Sequence, residues 1–158
     1  MKNFEYLSHS SEDTMNFAYN LASKLNIGDV LVLNGELGSG KTKFTEGILK
    51  YFGLENEISS PTFTIVNEYN AKNLNIYHFD VYRFSSSDEF YAIGGTEYFI
   101  NGICVIEWGE LIEDILPPNY IKIKFSKDEN DDSIRYLEFK AYGERLSNIL
   151  KELEIWKF

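Results

Sequence analysis

Hydrophobic side chains recur at helical spacing in three stretches of the chain. In the first, residues 10–25, a serine and two acidic residues precede the apolar positions, which is typical of a capped helix N-terminus. In the second, residues 44–52, the periodic positions end before Gly53, a residue type that favours a helix C-cap. The third stretch, residues 146–153, predicts a closing amphipathic helix.

Short apolar or alternating runs between these helices predict strands. Residues 30–33 and 103–106 are apolar throughout, and such runs suit strands that are buried on both faces of a sheet. Residues 120–125 and 134–139 alternate apolar and polar positions. The acidic loop at residues 127–132 separates these two runs, so they predict an antiparallel pair.

The middle of the chain predicts a hairpin and two short helical segments. Residues 63–69 and 74–82 predict its two strands, residues 85–95 a short helix with a glycine break, and residues 110–116 one or two helical turns. Strands and helices alternate early, and antiparallel pairs appear in the middle and late. This order predicts an α/β fold, a three-layer sandwich in which helices flank a mixed central sheet. We expect residues 1–158 to form one domain.

Composition limits the classes of function. Fifteen Lys and Arg residues stand against 25 Asp and Glu residues, for a formal net charge of −10, so unaided nucleic-acid binding is not expected. A single cysteine, Cys104, excludes an internal disulfide framework and a multi-cysteine zinc site. Neither a signal-peptide core nor an apolar run of membrane-spanning length occurs, so we expect a cytoplasmic protein without membrane contact.

A glycine-rich motif follows the first apolar strand and fits the pattern G-x-x-x-x-G-K-[ST]. Its glycines allow backbone N–H groups to turn inward as a cradle for phosphate oxygens, next to the positive end of a helix. The lysine reaches the β- and γ-phosphates, and the threonine hydroxyl binds Mg²⁺. The alternative is an ordinary glycine-rich turn, which the order strand, loop, helix disfavours. The motif reads Gly35-Glu36-Leu37-Gly38-Ser39-Gly40-Lys41-Thr42.

A phosphate-binding loop of this kind also needs an acidic residue for the metal and its water. Asp80 and Glu107 each end an apolar run, at the strand edge where α/β sheets place their ligands. Spacing does not rank them, and either could be a solvated strand end. The segment at residues 60–64 carries hydroxyls on a proline-stiffened loop, which could sense the γ-phosphate or simply form a turn.

With these motifs in register, the chain resembles the TsaE family, the P-loop ATPases of bacterial tRNA threonylcarbamoyladenosine (t6A) biosynthesis. The resemblance implies a P-loop NTPase-like fold and ATP hydrolysis in concert with the TsaB and TsaD proteins. Those partners would hold the tRNA, so tRNA contact would be indirect. Besides the loop, the residues that carry the resemblance are Ser60-Pro61-Thr62-Phe63-Thr64-Ile65-Val66, Tyr77-His78-Phe79-Asp80-Val81-Tyr82-Arg83, Ile106-Glu107-Trp108 and Leu116-Pro117-Pro118.

The resemblance also implies a role for individual residues. Lys41 and Asp80 would be catalytic, with Asp80 orienting or activating the attacking water. Thr42 and Glu107 would hold Mg²⁺. Thr62 and Thr64 fall in the family's switch-like segment. The residues implied to contact ATP or ADP are Glu12, Gly38, Ser39, Gly40, Lys41, Thr42, Lys43 and Arg135.

The chain departs from the family pattern where Glu36, Ser39 and Phe63 stand in place of the usual Asp, Ala and Tyr, and where Gly109-Glu110 follows Trp108 in place of a Pro-Glu or similar pair. Three other functions remain open. A small-molecule kinase would need an arginine-bearing lid, whereas the chain has only three dispersed arginines. A GTPase would need the guanine signature Asn-Lys-x-Asp, which is absent from the sequence. A non-catalytic module would bind ATP without hydrolysing it.

Overall fold

The computed structural model describes residues 1–36, 38–58, 66–82 and 84–155. Within these ranges, seven strands form one sheet. They are β1 (Lys2–Ser8), β2 (Val30–Asn34), β3 (Val66–Asn70), β4 (Asn75–Asp80), β5 (Gly102–Glu107), β6 (Ile121–Lys127) and β7 (Arg135–Ala141). The helices are α1 (Ser11–Ala22), α2 (Lys41–Tyr51), α3 (Ser87–Ala92), α4 (Gly95–Asn101) and α5 (Glu144–Ile155), with a 3-10 helix at Gly109–Ile115.

The sheet is mixed, with strand order β1-β7-β6-β2-β5-β4-β3. Strand β2 lies at its centre and pairs in parallel with β5 and β6, while β5 pairs in parallel with β4. Antiparallel pairs complete the two edges: β3 with β4, and β7 with both β6 and β1. The predicted mixed sheet is therefore confirmed.

Helices cover the sheet on both faces, because its central strands are apolar on both sides. On one face, Leu31 and Val105 pack with side chains of α1, α2 and α5. On the other face, Val32 and Ile106 pack with α3, α4 and the 3-10 helix. All four of these strand residues are fully buried. The two buried layers confirm the predicted three-layer sandwich and place the end of β2 between them.

Most predicted elements are present, with the expected signals at their ends. Ser10 caps α1, and its hydroxyl accepts the backbone N–H of Asp13. The predicted hairpin is confirmed where it is described, as β3 and β4, while residues 63–65 lie outside the described residues. Within the described ranges, no helix has both the length and the apolar character needed to cross a bilayer.

Two elements were not predicted from the sequence. Strand β1 is a half-buried edge strand, and it pairs with β7 more than a hundred residues later. Helix α4 follows the glycine break directly, and its first residue, Gly95, lies so close to the Phe90 ring that a Cβ there would be 2.3 Å from it. Each of these elements depends on a contact with another part of the chain.

Candidate nucleotide-binding site

The phosphate-binding motif connects the end of β2 to the start of α2. Gly40 precedes the helix with a φ of 112°, in the left-handed region that favours glycine. Gly35 allows a close approach, because a Cβ on it would lie 2.6 Å from Ser39 Oγ and 2.9 Å from the Phe125 carbonyl oxygen. The order strand, loop, helix predicted from the motif is therefore confirmed. The open N-terminus of α2 directs its free N–H groups and its dipole toward the loop.

Lys41, the lysine of the motif, is 8% exposed and points back over the loop. Its Nζ donates to the Gly35 carbonyl oxygen at 2.6 Å and lies 3.7 Å from Glu107 Oε1. The same ammonium group is 4.6 Å from the centre of the Trp108 ring. These groups hold the lysine where an incoming phosphate would meet it.

Asp80 and Glu107 lie directly opposite each other at the ends of the parallel strands β4 and β5. Asp80 Oδ1 accepts the backbone N–H of Tyr82 at 2.9 Å. Glu107 Oε2 lies 2.7 Å from His78 Nε2, with its other oxygen facing Lys41. Burial alone would raise the pKa of Glu107, but the hydrogen bond and charge from His78, and then those from Lys41, lower it below its ordinary value. Glu107 is therefore an ionised carboxylate at neutral pH.

These groups line one cleft of about 600 Å³. Its walls come from the start of α1, the loop and the first turn of α2, the ends of β4 and β5, and the turn before β7. The lining residues are Ser10, Ser11, Thr14, Gly38, Gly40, Lys41, Thr42, Lys43, Ile58, His78, Asp80, Glu107, Trp108, Asp132, Ser133 and Arg135. Polar groups from five separate segments thus converge on one concave site.

The structure brings together most of the site residues predicted from the sequence. Eight of them line the cleft: Gly38, Gly40, Lys41, Thr42, Lys43, Asp80, Glu107 and Arg135. Ser39 lies buried within the loop, and its hydroxyl has no hydrogen-bond partner among the described residues. Glu12 is exposed on α1 and does not line the cleft, although Ser11 beside it does. The switch-like residues Thr62 and Thr64 lie outside the described residues.

Among the cleft residues that were not assigned roles from the residue pattern, two contact the predicted site residues directly, His78 at Glu107 and Trp108 at Lys41. In the sequence, His78 appears only as a member of a motif. In the structure it is 2% exposed, and its side chain forms a hydrogen bond with the Glu107 carboxylate. The two-residue period of a strand places His78 on the same face as Asp80, so this period was the available signal. Trp108 likewise entered the sequence analysis only within a motif, and in the structure its ring lies against the Lys41 ammonium, with a backbone φ of 63°.

The oxygen donors at this cleft fit a magnesium ion. Thr42 contributes a hydroxyl, and Asp80 and Glu107 contribute carboxylates. Mg²⁺ usually takes one or two carboxylates together with substrate phosphates and water rather than a closed protein cage. Within the described ranges, no group of three or more His, Cys, Asp or Glu side chains is placed to hold a metal ion by itself.

Comparison with known proteins gives one consistent result. The family model for the threonylcarbamoyl adenosine biosynthesis protein TsaE matches residues 8–136. A TsaE protein from Bacillus subtilis is 40% identical over 154 residues, which cover 97% of this chain and 95% of that protein. A TsaE protein from Rickettsia conorii is 41% identical over 124 residues, covering 78% of this chain and 71% of that protein.

A solved structure agrees with these sequence matches. The crystal structure of YdiB from Bacillus subtilis superposes with a TM-score of 0.76 at 36% identity, covering 96% of this chain and 94% of that one. The matched residues include the phosphate-binding motif and both strand-end carboxylates. On its sequence and on its fold, the chain belongs to the TsaE family of threonylcarbamoyladenosine biosynthesis proteins.

Proposed function

We propose that this protein binds Mg-ATP in the cleft and hydrolyses it as the ATPase of the machinery that makes t6A in tRNA. Its relatives bear the name of that biosynthesis, which supports the pathway. The observation that carries the ATPase proposal is the meeting of Lys41 with the Asp80–Glu107 pair at one cleft. The proposed partners are TsaB and TsaD, as the family resemblance implies. The acidic net charge of −10 supports a tRNA contact made through these partners.

The loop and α2 would bind the polyphosphate. Backbone N–H groups at residues 38–42 would donate to its oxygens, with the α2 dipole adding to the attraction. Lys41 would exchange its contact with the Gly35 carbonyl for a phosphate oxygen, which is a stronger, charge-assisted acceptor. Magnesium, when bound, supplies positive charge that stabilises the transferring phosphoryl group.

The surroundings of the two carboxylates favour different roles for them. Glu107 has one oxygen on His78 and the other facing Lys41, so its position is fixed and it suits a metal contact through water. Asp80 is held by one oxygen, and its second oxygen has no hydrogen bond among the described residues. Asp80 is therefore the better group to orient the attacking water.

Hydrolysis by the isolated protein should be slow, because the described site offers no free arginine to stabilise the negative charge of the transition state. Arg135 is the arginine that lines the cleft, and its guanidinium is engaged with backbone carbonyls. Arginine fingers accelerate phosphoryl transfer by roughly 10³- to 10⁵-fold. We therefore expect docking of TsaB and TsaD to raise the rate.

Two substitutions test the ATPase proposal. Lys41→Ala should weaken ATP binding by about tenfold or more, since it removes a charge-assisted contact. Asp80→Asn should leave ATP binding nearly unchanged and abolish turnover. Lys50→Ala, on the exposed side of the same helix, is the matched control. Calorimetric titration with Mg-ATP gives the affinities, and phosphate release gives the turnover.

Several results would contradict the proposal. Unchanged ATP affinity in Lys41→Ala would exclude the loop as the binding site, and turnover in Asp80→Asn would exclude the role of Asp80. Binding without hydrolysis, even with TsaB and TsaD present, would identify a non-catalytic module. A phosphorylated acceptor would identify a kinase. Multiple-turnover tRNA modification by TsaB, TsaD and the first-step synthase should fall when this protein is omitted.

A further inference from the structure

Lys127 ends strand β6 beside the phosphate-binding loop. It lies two residues beyond Phe125, which is buried on the α2 side of the sheet, so Lys127 is on that same face. In the strand register, Lys127 is directly opposite Arg135. A Cβ on Gly38 would lie 3.2 Å from Lys127 Nζ, and Arg135 Nη2 donates to the Gly38 carbonyl oxygen at 3.3 Å. Two cations on adjacent strands therefore reach the same residue of the loop.

Neither cation forms an ion pair with a carboxylate in the described part of the chain. Arg135 donates instead to main-chain carbonyls, those of Ile134 and Asp132 as well as that of Gly38. In the acidic turn between the two strands, the Asp128 carboxylate accepts the Tyr136 hydroxyl and the Asp131 carboxylate accepts the Ser133 hydroxyl. Among the described residues of a chain with 25 acidic and 15 basic residues, Lys127 and Arg135 thus lie side by side without a carboxylate partner.

Like charges directly opposite on paired strands destabilise the sheet. An anion placed between Lys127 and Arg135 would convert this repulsion into two attractions, and the N–H groups of the neighbouring loop are suited to an anion. The two lysines at the loop also differ. Lys41 is 8% exposed, whereas Lys127 is exposed and approaches the loop from the outer side, at Gly38.

We infer that Lys127 is a second phosphate-contacting lysine, which together with Arg135 holds the polyphosphate of the nucleotide against the loop at Gly38. The inference rests on the proposed function, since it places a further cation beside Gly38 at the edge of the cleft; Lys127 is not itself among the lining residues. Lys127 acts by binding and takes no part in proton transfer. Its contribution should grow with the number of phosphates on the ligand.

The test compares Lys127→Gln, Lys127→Arg and a control, Lys124→Gln, which lies on the same strand but on the opposite sheet face. In calorimetric titrations, Lys127→Gln should bind Mg-ATP about three- to tenfold more weakly than wild type, and AMP almost equally well. Lys127→Arg should restore most of the ATP affinity, and Lys124→Gln should match wild type. Without nucleotide, the thermal midpoint of Lys127→Gln should equal or exceed that of wild type, because a repulsion has been removed.

Each contrary outcome has a definite meaning. If wild type binds ATP, Lys41→Ala binds it more weakly and Lys127→Gln binds it like wild type, this inference fails while the proposed function stands. If Lys127→Gln lowers the thermal midpoint without nucleotide and Lys127→Arg fails to restore affinity, Lys127 only supports the loop and the inference also fails. If wild type itself does not bind ATP, the proposed function fails together with the inference.

Discussion

Gly47 lies where helix α2 packs tightly against α1, and its substitution tests the placement of the phosphate-binding helix. A Cβ on Gly47 would lie 2.3 Å from the Met15 carbonyl oxygen and 2.8 Å from the Ala18 Cβ. Both atoms belong to α1, and neither is the far end of a flexible side chain. Gly47→Ala therefore forces the two helices apart.

The magnitude follows from two opposing effects. Overpacking of a tight core costs about 1–3 kcal/mol, and contact with backbone places this site near the upper end, at about 3 kcal/mol. Alanine recovers about 1 kcal/mol of helix propensity relative to glycine. The net loss in the free energy of unfolding is about 2 kcal/mol, which lowers the thermal midpoint by roughly 4–8 °C in a protein of this size.

Calorimetry or circular dichroism measures the midpoint, with Lys50→Ala on the exposed side of α2 as the control. Ala18→Gly in the Gly47→Ala background removes one of the two clashes but costs about 1 kcal/mol of helix propensity and leaves the clash with the Met15 carbonyl oxygen, so the double variant should remain less stable than wild type. A Gly47→Ala protein as stable as wild type would refute the close contact between the helices. Since α2 carries Lys41 and Thr42 in its first turn, the variant should also bind ATP more weakly.

Three further predictions concern two reporter side chains, Cys104 and Trp108. Burial raises the pKa of the Cys104 thiol from its ordinary 9.0 to about 12. This shift lowers the thiolate fraction at pH 8 by about a thousandfold. The native protein should therefore resist a thiol reagent that labels the protein in urea, and fast labelling of the native protein would contradict the burial of strand β5. Because the folded thiol keeps its proton, the free energy of unfolding should also fall as the pH rises above 9. The Lys41 ammonium lies 4.6 Å from the centre of the Trp108 ring. In a Trp156→Phe background, titration with Mg-ATP should therefore change the fluorescence of Trp108. The same titration of a Lys41→Ala variant should show no such change.

Local signals in the sequence were enough to predict most helices and central strands. The serine before α1 and the glycine after α2 are capping signals that act within one turn, so they could be read without knowing the fold. The apolar runs that became β2 and β5 need burial on two faces, and only the middle of a sheet provides it. The phosphate-binding motif is equally local, because strand, loop and helix are contiguous.

The remaining features depend on long-range contacts. Apolar and polar residue types alternate only weakly along β1, although its positions alternate between half-buried and exposed in the fold, and its pairing with β7 could not be inferred from its own seven residues. The contact of His78 with Glu107 joins two strands that are adjacent only because β4 and β5 pair in parallel. Once that pairing is known, strand periodicity predicts that both side chains share one face. The missing information was therefore the strand order.

The strand order also bears on when the site forms during synthesis. Strand β2 lies between β5 and β6, and both are translated after the entire phosphate-binding motif has left the ribosome. Until residues 102–127 emerge, β2 has no neighbour to hold it in the sheet. A nascent chain that ends after α2 therefore contains the whole motif but lacks the two strands that pair with β2. The ability to bind a nucleotide should therefore be among the last properties that the polypeptide acquires as it folds.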